Sequence, residues 1–400
     1  MQIIRKISVI LLKTFVSLVL IALAAVFATS VSPIYRFAAP APFSGPDIFN
    51  PYADLDSAHC WKRANFHTHT RVKGLMNECD LWPIDVYGAL AKFGYDIVTF
   101  SNHNKLTVHP FDETLQVNVY EHGYNLLKFH KLVFGCRSVN HFDHLLPILA
   151  SQRQHQLEYL GKGSDFLQLN HPLRTEFTSR PVMEKLSGYS LIELDSGKST
   201  ENEYWDWALS AGHYSHAVAN DDLHYPDRSA RIAVRCNFLS TPSARYEDIC
   251  NALLQGRHYC MRIPDYGCGD WEIKYEKNKE LPYIKEIGAK EDTIYISLSE
   301  TADSIRFIGQ DHSTLFLQTN SAAAEYIMKS SDPYVRITAF FQEGEVIYTN
   351  AFARYDRALS DSPFSSSKPS ASIPLTIIFN LIMLLLCAGT VYSLVKVIRK

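Results

Sequence analysis

The chain opens and closes on uncharged apolar runs, and between them apolar and polar residues alternate in short bursts. From Thr14 to Pro33 no charge interrupts TFVSLVLIALAAVFATSVSP, and Arg5, Lys6 and Lys13 precede it. About 20 helical residues cover a ~30 Å hydrocarbon core. Residues 1–33 are therefore expected to form a transmembrane helix or signal anchor, or a cleaved signal with Ala28 and Ser30 as its small-residue site. A second run, Ile373 to Val395, precedes Lys396, Arg399 and Lys400 and predicts a stop-transfer transmembrane helix. Basic residues at both ends predict a membrane protein with both termini cytoplasmic and the central domains periplasmic or extracellular.

Residues 34–58 are rich in Pro, Ala and Ser and read as a linker, with order beginning near Cys60. From there strand and helix patterns alternate. Strands are expected at Lys62–Phe66, Asp96–Phe100 and Gln116–Tyr120, then at KLVFG, FLQLN, SLIEL and SHAVAN. WPIDVYGALAKFG, EYWDWALSAG and YEDICNALLQG read as helices between them. Such alternation predicts an α/β barrel over residues 59–265. After Asp270 the texture changes to short β-branched and aromatic runs: TIYISLS, SIRFIG, TLFLQT, YVRITAFF and EVIYTNAFARY. Only SAAAEYIM has a helical look. A small β-sandwich is expected over 270–357 and a Ser- and Pro-rich linker over 358–372.

Composition adds little until the histidines are counted. With 39 basic against 42 acidic residues and a formal charge of -3, nothing general favours nucleic acid, and no nucleic-acid partner is expected. Seven of the cysteines, Cys60, Cys79, Cys136, Cys236, Cys250, Cys260 and Cys268, fall in the exported region without a CxxC pair. Bridges among them are permitted, and a thiolate metal site is disfavoured. The 16 histidines are the unusual count.

Their placement recurs. His67-Thr68-His69 closes an apolar run, and alternate residues of an extended chain face the same way, so both imidazoles can reach one cation. DIVTF is followed by Ser101-Asn102-His103, QVNVY by Glu121-His122, FLQLN by His171-Pro172, and SHAVAN by Asp221-Asp222-Leu223-His224, while His130 opens KLVFG. In a β/α barrel the carboxyl ends of the strands open on one face, where distant residues meet. Imidazole and carboxylate without thiolate suit zinc, manganese or iron, and permit more than one ion.

The ordered series FHTH, SNH, YEHG, His130, NHP and DDLH resembles the PHP (polymerase and histidinol phosphatase) domain family, over roughly Cys60 to Arg262 and including NALLQGRHYC. The likeness is greatest to its membrane- or surface-associated branch, where a β-sandwich follows the barrel. It implies a distorted seven-stranded β/α barrel and up to three divalent ions. His67, His69 and Asp222 would hold the first. Glu121 would bridge to a second held by His130 and His171, and His103 and His224 would help hold a third. The family supplies a further ligand shortly after the first motif. Either Glu78 or Asp80 fits that place, and Asp80 is carried in the expected set. Asn102 stands where the family commonly has Asp, which removes an anionic partner from His103.

Clustered divalent ions lower the pKa of bound water to about 7 and neutralise charge on a phosphoryl oxygen. The expected activity is metal-dependent phosphoester hydrolysis, by a phosphatase or phosphodiesterase acting on a phosphorylated small molecule or an envelope component. No side-chain nucleophile is needed. Arg174 and Lys105 lie near the expected mouth as candidate phosphate contacts. The competing expectation is a non-catalytic envelope scaffold or receptor that binds only metal or ligand.

Overall fold

The computed structural model describes residues 2–55, 61–74, 77–196, 203–360, 362–364 and 368–399; Cys60 and part of the expected Asp361–Ser372 tether lie outside them. It is a mixed α/β fold between two terminal apolar helices, Gln2–Ser30 and Ile373–Arg399. Their mean hydropathies are 2.6 and 2.2, and both are long and apolar enough to cross a membrane. They pack side by side and antiparallel, since Cys387 Sγ approaches Ala24 O at 3.6 Å while Ser32 N donates to Asn380 Oδ1 at 3.0 Å. Their outer ends are joined by a short antiparallel ladder, Tyr35–Arg36 against Ser370–Ala371.

Seven strands follow in chain order: β1 (Trp61–Asn65), β2 (Ile97–Val98), β3 (Val119–His122), β4 (Lys131–Phe134), β5 (Phe166–Leu169), β6 (Leu191–Ser196) and β7 (His216–Asn220). β1 and β2 pair in parallel, β3 to β5 form antiparallel ladders, and β5 to β7 are parallel. Two single bridges lie at the seams, His103 with Glu121 and Thr68 with Leu223. The register is set by burial: along β4, β5, β6 and β7 every residue is buried, as expected of strands covered on both faces.

Beyond these come β8 (Arg235–Ser240), β9 (His258–Arg262), β10 (Ile284–Lys290), β11 (Thr293–Gly309), β12 (Ser313–Ile327), β13 (Tyr334–Phe340), β14 (Val346–Thr349) and β15 (Phe352–Tyr355). In space they run β10-β11-β13-β14-β9-β8-β1-β2, so one sheet passes from the C-terminal region directly into β1. The C-terminal strands thus share a sheet with the first part of the chain, where a separate sandwich was expected. The apolar interior is shared as well, with Val86, Leu90 and Phe93 packed in the same cluster as Ile296, Ile305 and Ile337.

Three local expectations change. SAAAEYIM is not helical but the second half of β12, pulled into register opposite Thr293–Ser297 of β11. TIYISLS and SIRFIG are one 17-residue strand, irregular between Ser297 and Ala302. Within the expected 34–58 linker, Asp47–Phe49 pairs with β15, and the Phe49 ring meets Tyr214 edge-on at 5.4 Å. Tertiary pairing overrides local propensity in each case. Among the described residues Cys79, Cys136, Cys236, Cys250 and Cys387 carry free thiols.

One buried ion group joins the two regions. Asp206, on the helix Tyr204–Ser210, accepts Arg336 Nε at 2.9 Å and Nη2 at 2.8 Å, Tyr334 OH at 3.0 Å, and faces His312 Nδ1 at 2.6 Å. Burial raises the Asp206 pKa, but Arg336 and His312 outweigh it and hold it at about 2. A depressed carboxyl stabilises the fold above its unfolded value, near 4, and that contribution disappears as the pH falls through about 2. Asp206→Asn should lower unfolding stability by about 3–5 kcal/mol, because a buried ion pair loses its carboxylate while the Arg336 guanidinium stays buried. Denaturant titration of the two proteins between pH 2 and 7 checks this, the gap between them narrowing toward pH 2.

Candidate metal centre

β1 runs straight into the first motif. Its side chains alternate, so Asn65, His67 and His69 share one face while Ala64 and Phe66 fill the apolar cluster behind it. The chain around the motif is held by side-chain amides. Asn65 Oδ1 accepts His67 N at 3.1 Å, and Asn220 Oδ1 accepts Phe66 N at 2.9 Å. The single bridge from Thr68 to Leu223 brings the Asp222 loop beside it.

Glu121 is the hub. Its Oε2 lies 3.0 Å from His67 Nε2, 3.2 Å from His69 Nε2 and 3.0 Å from His103 Nε2. Oε1 lies 3.1 Å from His130 Nδ1 and 3.3 Å from His171 Nε2, and accepts Asn170 Nδ2 at 3.0 Å. Asp222 Oδ1 is 3.3 Å from His67 Nε2 and 3.4 Å from His69 Nε2. His224 packs its ring 4.2 Å from that of His69 and turns Nδ1 to the Asp222 carbonyl at 2.8 Å. Residues from six separate chain segments thereby meet at one place.

Of the two candidate acids after the first motif, Glu78 is the one in reach, with Oε2 3.3 Å from His69 Nδ1 and 3.4 Å from His103 Nε2. Asp80 is solvent-exposed and absent from every cluster of potential ligands among the described residues. The reason is local: the chain bends at Glu78 and again at Asp80, so only the Glu78 carboxylate faces His69 and His103. Lys105 turns away to donate to Lys73 O at 2.9 Å. Arg174 is at the centre but bonded to Asp222 Oδ2.

Asn102 does not orient His103. Its Oδ1 accepts Thr70 N at 2.8 Å, and its Nδ2 donates to Thr70 Oγ1 at 2.8 Å and Thr107 Oγ1 at 2.7 Å. Those two donations need an amide, so the residue ties two ligand-bearing loops together.

The reading from sequence missed Glu193. Its Oε1 lies 3.0 Å from His67 Nδ1 and accepts Asn220 Nδ2 at 3.0 Å, while Oε2 accepts His171 N at 2.9 Å. A carboxylate behind an imidazole fixes its tautomer and leaves the other nitrogen facing inward. The available signal was an acid inside the apolar run SLIEL. His122, His213 and His216 bond backbone carbonyls and stay outside the cluster.

The electrostatics of the centre are those of acids waiting for a cation. Burial opposes charge on His67, yet Glu121, Asp222 and Glu193 hold its pKa well above the ordinary value. His69 is likewise desolvated, and the carboxylates of Asp222 and Glu121 close to its Nε2 raise it to about 9. Burial pushes Glu121 up, but His103, His67 and His130 hold it well below the usual carboxylate range. His130 is driven down to about 4, chiefly by burial.

The fit to metal follows from unpaired atoms. His67 Nε2, both nitrogens of His69, His171 Nδ1 and Glu121 Oε2 are buried without a hydrogen-bond partner, even though several lie near 3 Å from one another. They sit close but misaligned for hydrogen bonding. Leaving such groups unsatisfied costs about 1–3 kcal/mol each. A divalent cation accepts lone pairs converging from several directions and so satisfies His67 Nε2, His69 Nε2 and Glu121 Oε2 together. His67, His69, Glu121 and Asp222 place one ligand atom each within 4.8 Å of one another, as do His69, Glu78 and His103, and His103, Glu121 and His130. Two residues of the site hold left-handed backbone, His171 at φ 26° and Asp222 at φ 49°. Strain of this kind persists where surrounding structure enforces it.

No family model matches the chain, and no curated protein matches it. Among solved structures it is similar to a two-domain protein from Bacteroides vulgatus containing a predicted PHP-like metal-dependent phosphoesterase. The two are 16% identical, with a TM-score of 0.40 over 75% of this chain and 97% of that one.

Two outcomes are expected. Ligating imidazoles must shed their protons, so raised pKa values at His67 and His69 oppose binding at low pH. Affinity for Zn²⁺ or Mn²⁺ measured by titration calorimetry should rise from pH 6 toward pH 9, with proton release seen as a buffer-dependent heat. Glu193→Gln should weaken metal binding about 10- to 100-fold while circular dichroism stays native.

Proposed function

We propose that this chain is a membrane-anchored, exported, metal-dependent phosphoesterase, either a phosphatase or a phosphodiesterase, built on a PHP-type barrel. The observation that carries the reading is the convergence of His67, His69, Glu121 and Asp222, all buried, with inward-facing nitrogens that nothing else satisfies. The succession of β1 to β7 in space, with bridges at both seams, supports a distorted seven-stranded barrel. The C-terminal strands extend it as an accessory module.

In this reading His67, His69 and Asp222 hold one ion, and Glu121 joins it to a second held by His130 and His171. His103, His224 and Glu78 hold a third, Glu78 taking the place given above to Asp80. The donor set suits zinc, manganese or iron. Divalent ions bound here supply the Lewis acidity that activates water near neutral pH and offsets charge on a phosphoryl oxygen. The chain contributes orientation. Glu193 fixes the His67 and His171 segments, Asn170 fixes one Glu121 oxygen, and Arg174 presents a guanidinium beside Asp222. A guanidinium has donors enough to keep a carboxylate and grip a phosphate together.

Both terminal helices are read as membrane spans. Their antiparallel packing supports a topology with both termini on one side, cytoplasmic by the basic residues there, and the metal centre on the other. The substrate is a phosphorylated small molecule or an envelope component.

The test uses the full chain in nanodiscs loaded with Mn²⁺ or Zn²⁺, assayed on phosphomonoester and phosphodiester panels. His67→Ala and His171→Ala should each reduce kcat/KM about 10³-fold or more with the fold retained. Arg174→Ala should raise KM about 10- to 100-fold, as loss of a charge-assisted bond predicts. Full metal occupancy with no hydrolysis of either ester class overturns the enzymatic reading in favour of a metal-holding scaffold.

A further inference from the structure

The segment that meets the end of the anchor helix lies one loop away from the centre. Leu145 N donates to Thr29 Oγ1 at 3.2 Å, Gln152 Nε2 to Ser30 O at 3.3 Å, and Tyr35 N to Ser151 Oγ at 3.0 Å. Segment 144–152 is thus fixed at the level where the apolar helix ends. One step further in, Leu126 N donates to Leu145 O at 3.0 Å, and Asp143 Oδ2 accepts Tyr124 N at 3.0 Å. Tyr124 in turn stacks on the His103 ring at 5.1 Å. A single loop, Gly123–Phe129, separates the helix end from the metal ligands.

That short path is lined by exposed apolar side chains: Leu126, Ile148, Leu149, Leu173 and Phe177. Buried Arg153 staples their loops together, donating to Pro147 O at 3.0 Å, Glu176 O at 2.6 Å and Thr178 Oγ1 at 2.7 Å. Glu176 N reaches Leu127 O at 2.9 Å. Phe177 is the most telling. It is 67% exposed and sits at φ 55°, a conformation costly for a bulky side chain. The fold spends strain to present an aromatic ring outward. Lys128, exposed on the same loop, and Arg36, exposed just past the anchor helix, add positive charge.

We infer that this apolar and basic rim rests in the headgroup layer of the bilayer that holds the two terminal helices, and that the centre takes the phosphate ester of a membrane phospholipid as substrate. The substrate half rests on the phosphoesterase reading; the seating of the rim rests only on the membrane-spanning helices. Depth selects the occupant. Apolar side chains on loops that are hydrogen-bonded to a membrane helix terminus meet lipid before they meet a soluble protein, and interfacial aromatics with Lys and Arg favour an anionic surface.

The test places the full chain in nanodiscs of phosphatidylcholine containing phosphatidic acid or phosphatidylglycerol. Phe177→Trp and Leu126→Trp should add tryptophan fluorescence that brominated acyl chains quench, whereas Leu317→Trp on β12 should add fluorescence that they leave unquenched. Phe177→Ser and Leu126→Ser should lower lipid hydrolysis about tenfold or more, the value of one buried apolar side chain, and leave p-nitrophenyl phosphate and bis-p-nitrophenyl phosphate turnover unchanged. Absent quenching overturns the seating. Turnover of the soluble esters without turnover of either lipid, or equal losses on both substrate types, overturns the lipid assignment. Failure of the wild-type protein on every ester overturns the lipid assignment and the phosphoesterase reading together, while quenching still decides the seating.

Discussion

A carboxylate placed out of water and ringed by imidazoles imposes the constraint on which the rest depends. Glu121 is 1% exposed and faces five histidine rings. Burying one charge costs several kcal/mol unless opposite charge comes with it. Here two acids, Glu121 and Asp222, lie at the centre, with Glu193 behind. Without a cation, the balance falls to protons retained on His67 and His69, whose raised pKa values record that demand. Protons are a poor substitute, because each satisfies one nitrogen and leaves its neighbours misaligned. A divalent ion satisfies several at once. The same feature thus explains the pKa shifts and the unpaired atoms.

Holding such a cluster in register requires supports that do not themselves add charge, and asparagine supplies them. Asn65, Asn102, Asn170, Asn220 and Asn237 each stand at or beside a strand carrying a ligand. Asn237 shows the device plainly: its Oδ1 accepts Ala219 N and its Nδ2 donates to Ala219 O, both at 2.9 Å, so a side-chain amide fills the seam between β7 and β8. An aspartate could accept but not donate. Five neutral ties can therefore be buried near the acids without deepening the electrostatic deficit.

Much of the centre was legible because its ligands sit where apolar runs end. His67, His69, His103, Glu121, His171, Asp222 and His224 were picked out by that rule and His130 by its place at the opening of KLVFG, and the structure brings them together. What stayed hidden depends on the third dimension. Glu78 and Asp80 are two residues apart, and the course of the loop decides which reaches His69. Glu193 supports from a neighbouring strand, and nothing in local sequence says which imidazole it backs. The fold shows the same division. Strand order from β1 to β7 followed the chain, whereas continuity of the sheet from β8 through β9 into β14 joins segments about 100 residues apart, which no local pattern encodes. SAAAEYIM was misread because three alanines favour helix until β11 offers a long unpaired edge.

The arrangement of the ends bears on how the centre meets its surroundings. A flexible linker after a membrane span would let the central region tumble. Here residues past the first helix are pinned instead: Tyr35 OH donates to Glu158 at 2.8 Å, Tyr35–Arg36 pairs with Ser370–Ala371, and Asp47–Phe49 pairs with β15. Two antiparallel helices joined by a ladder resist rotation better than one. On the proposed membrane reading, the rim of the centre keeps a fixed height and tilt over the bilayer, so orientation toward the lipid surface is built in before any substrate arrives. Pre-paid orientation of this kind lowers the entropy cost of meeting a lipid headgroup. On the same reading it explains why two spans are used where one suffices for retention.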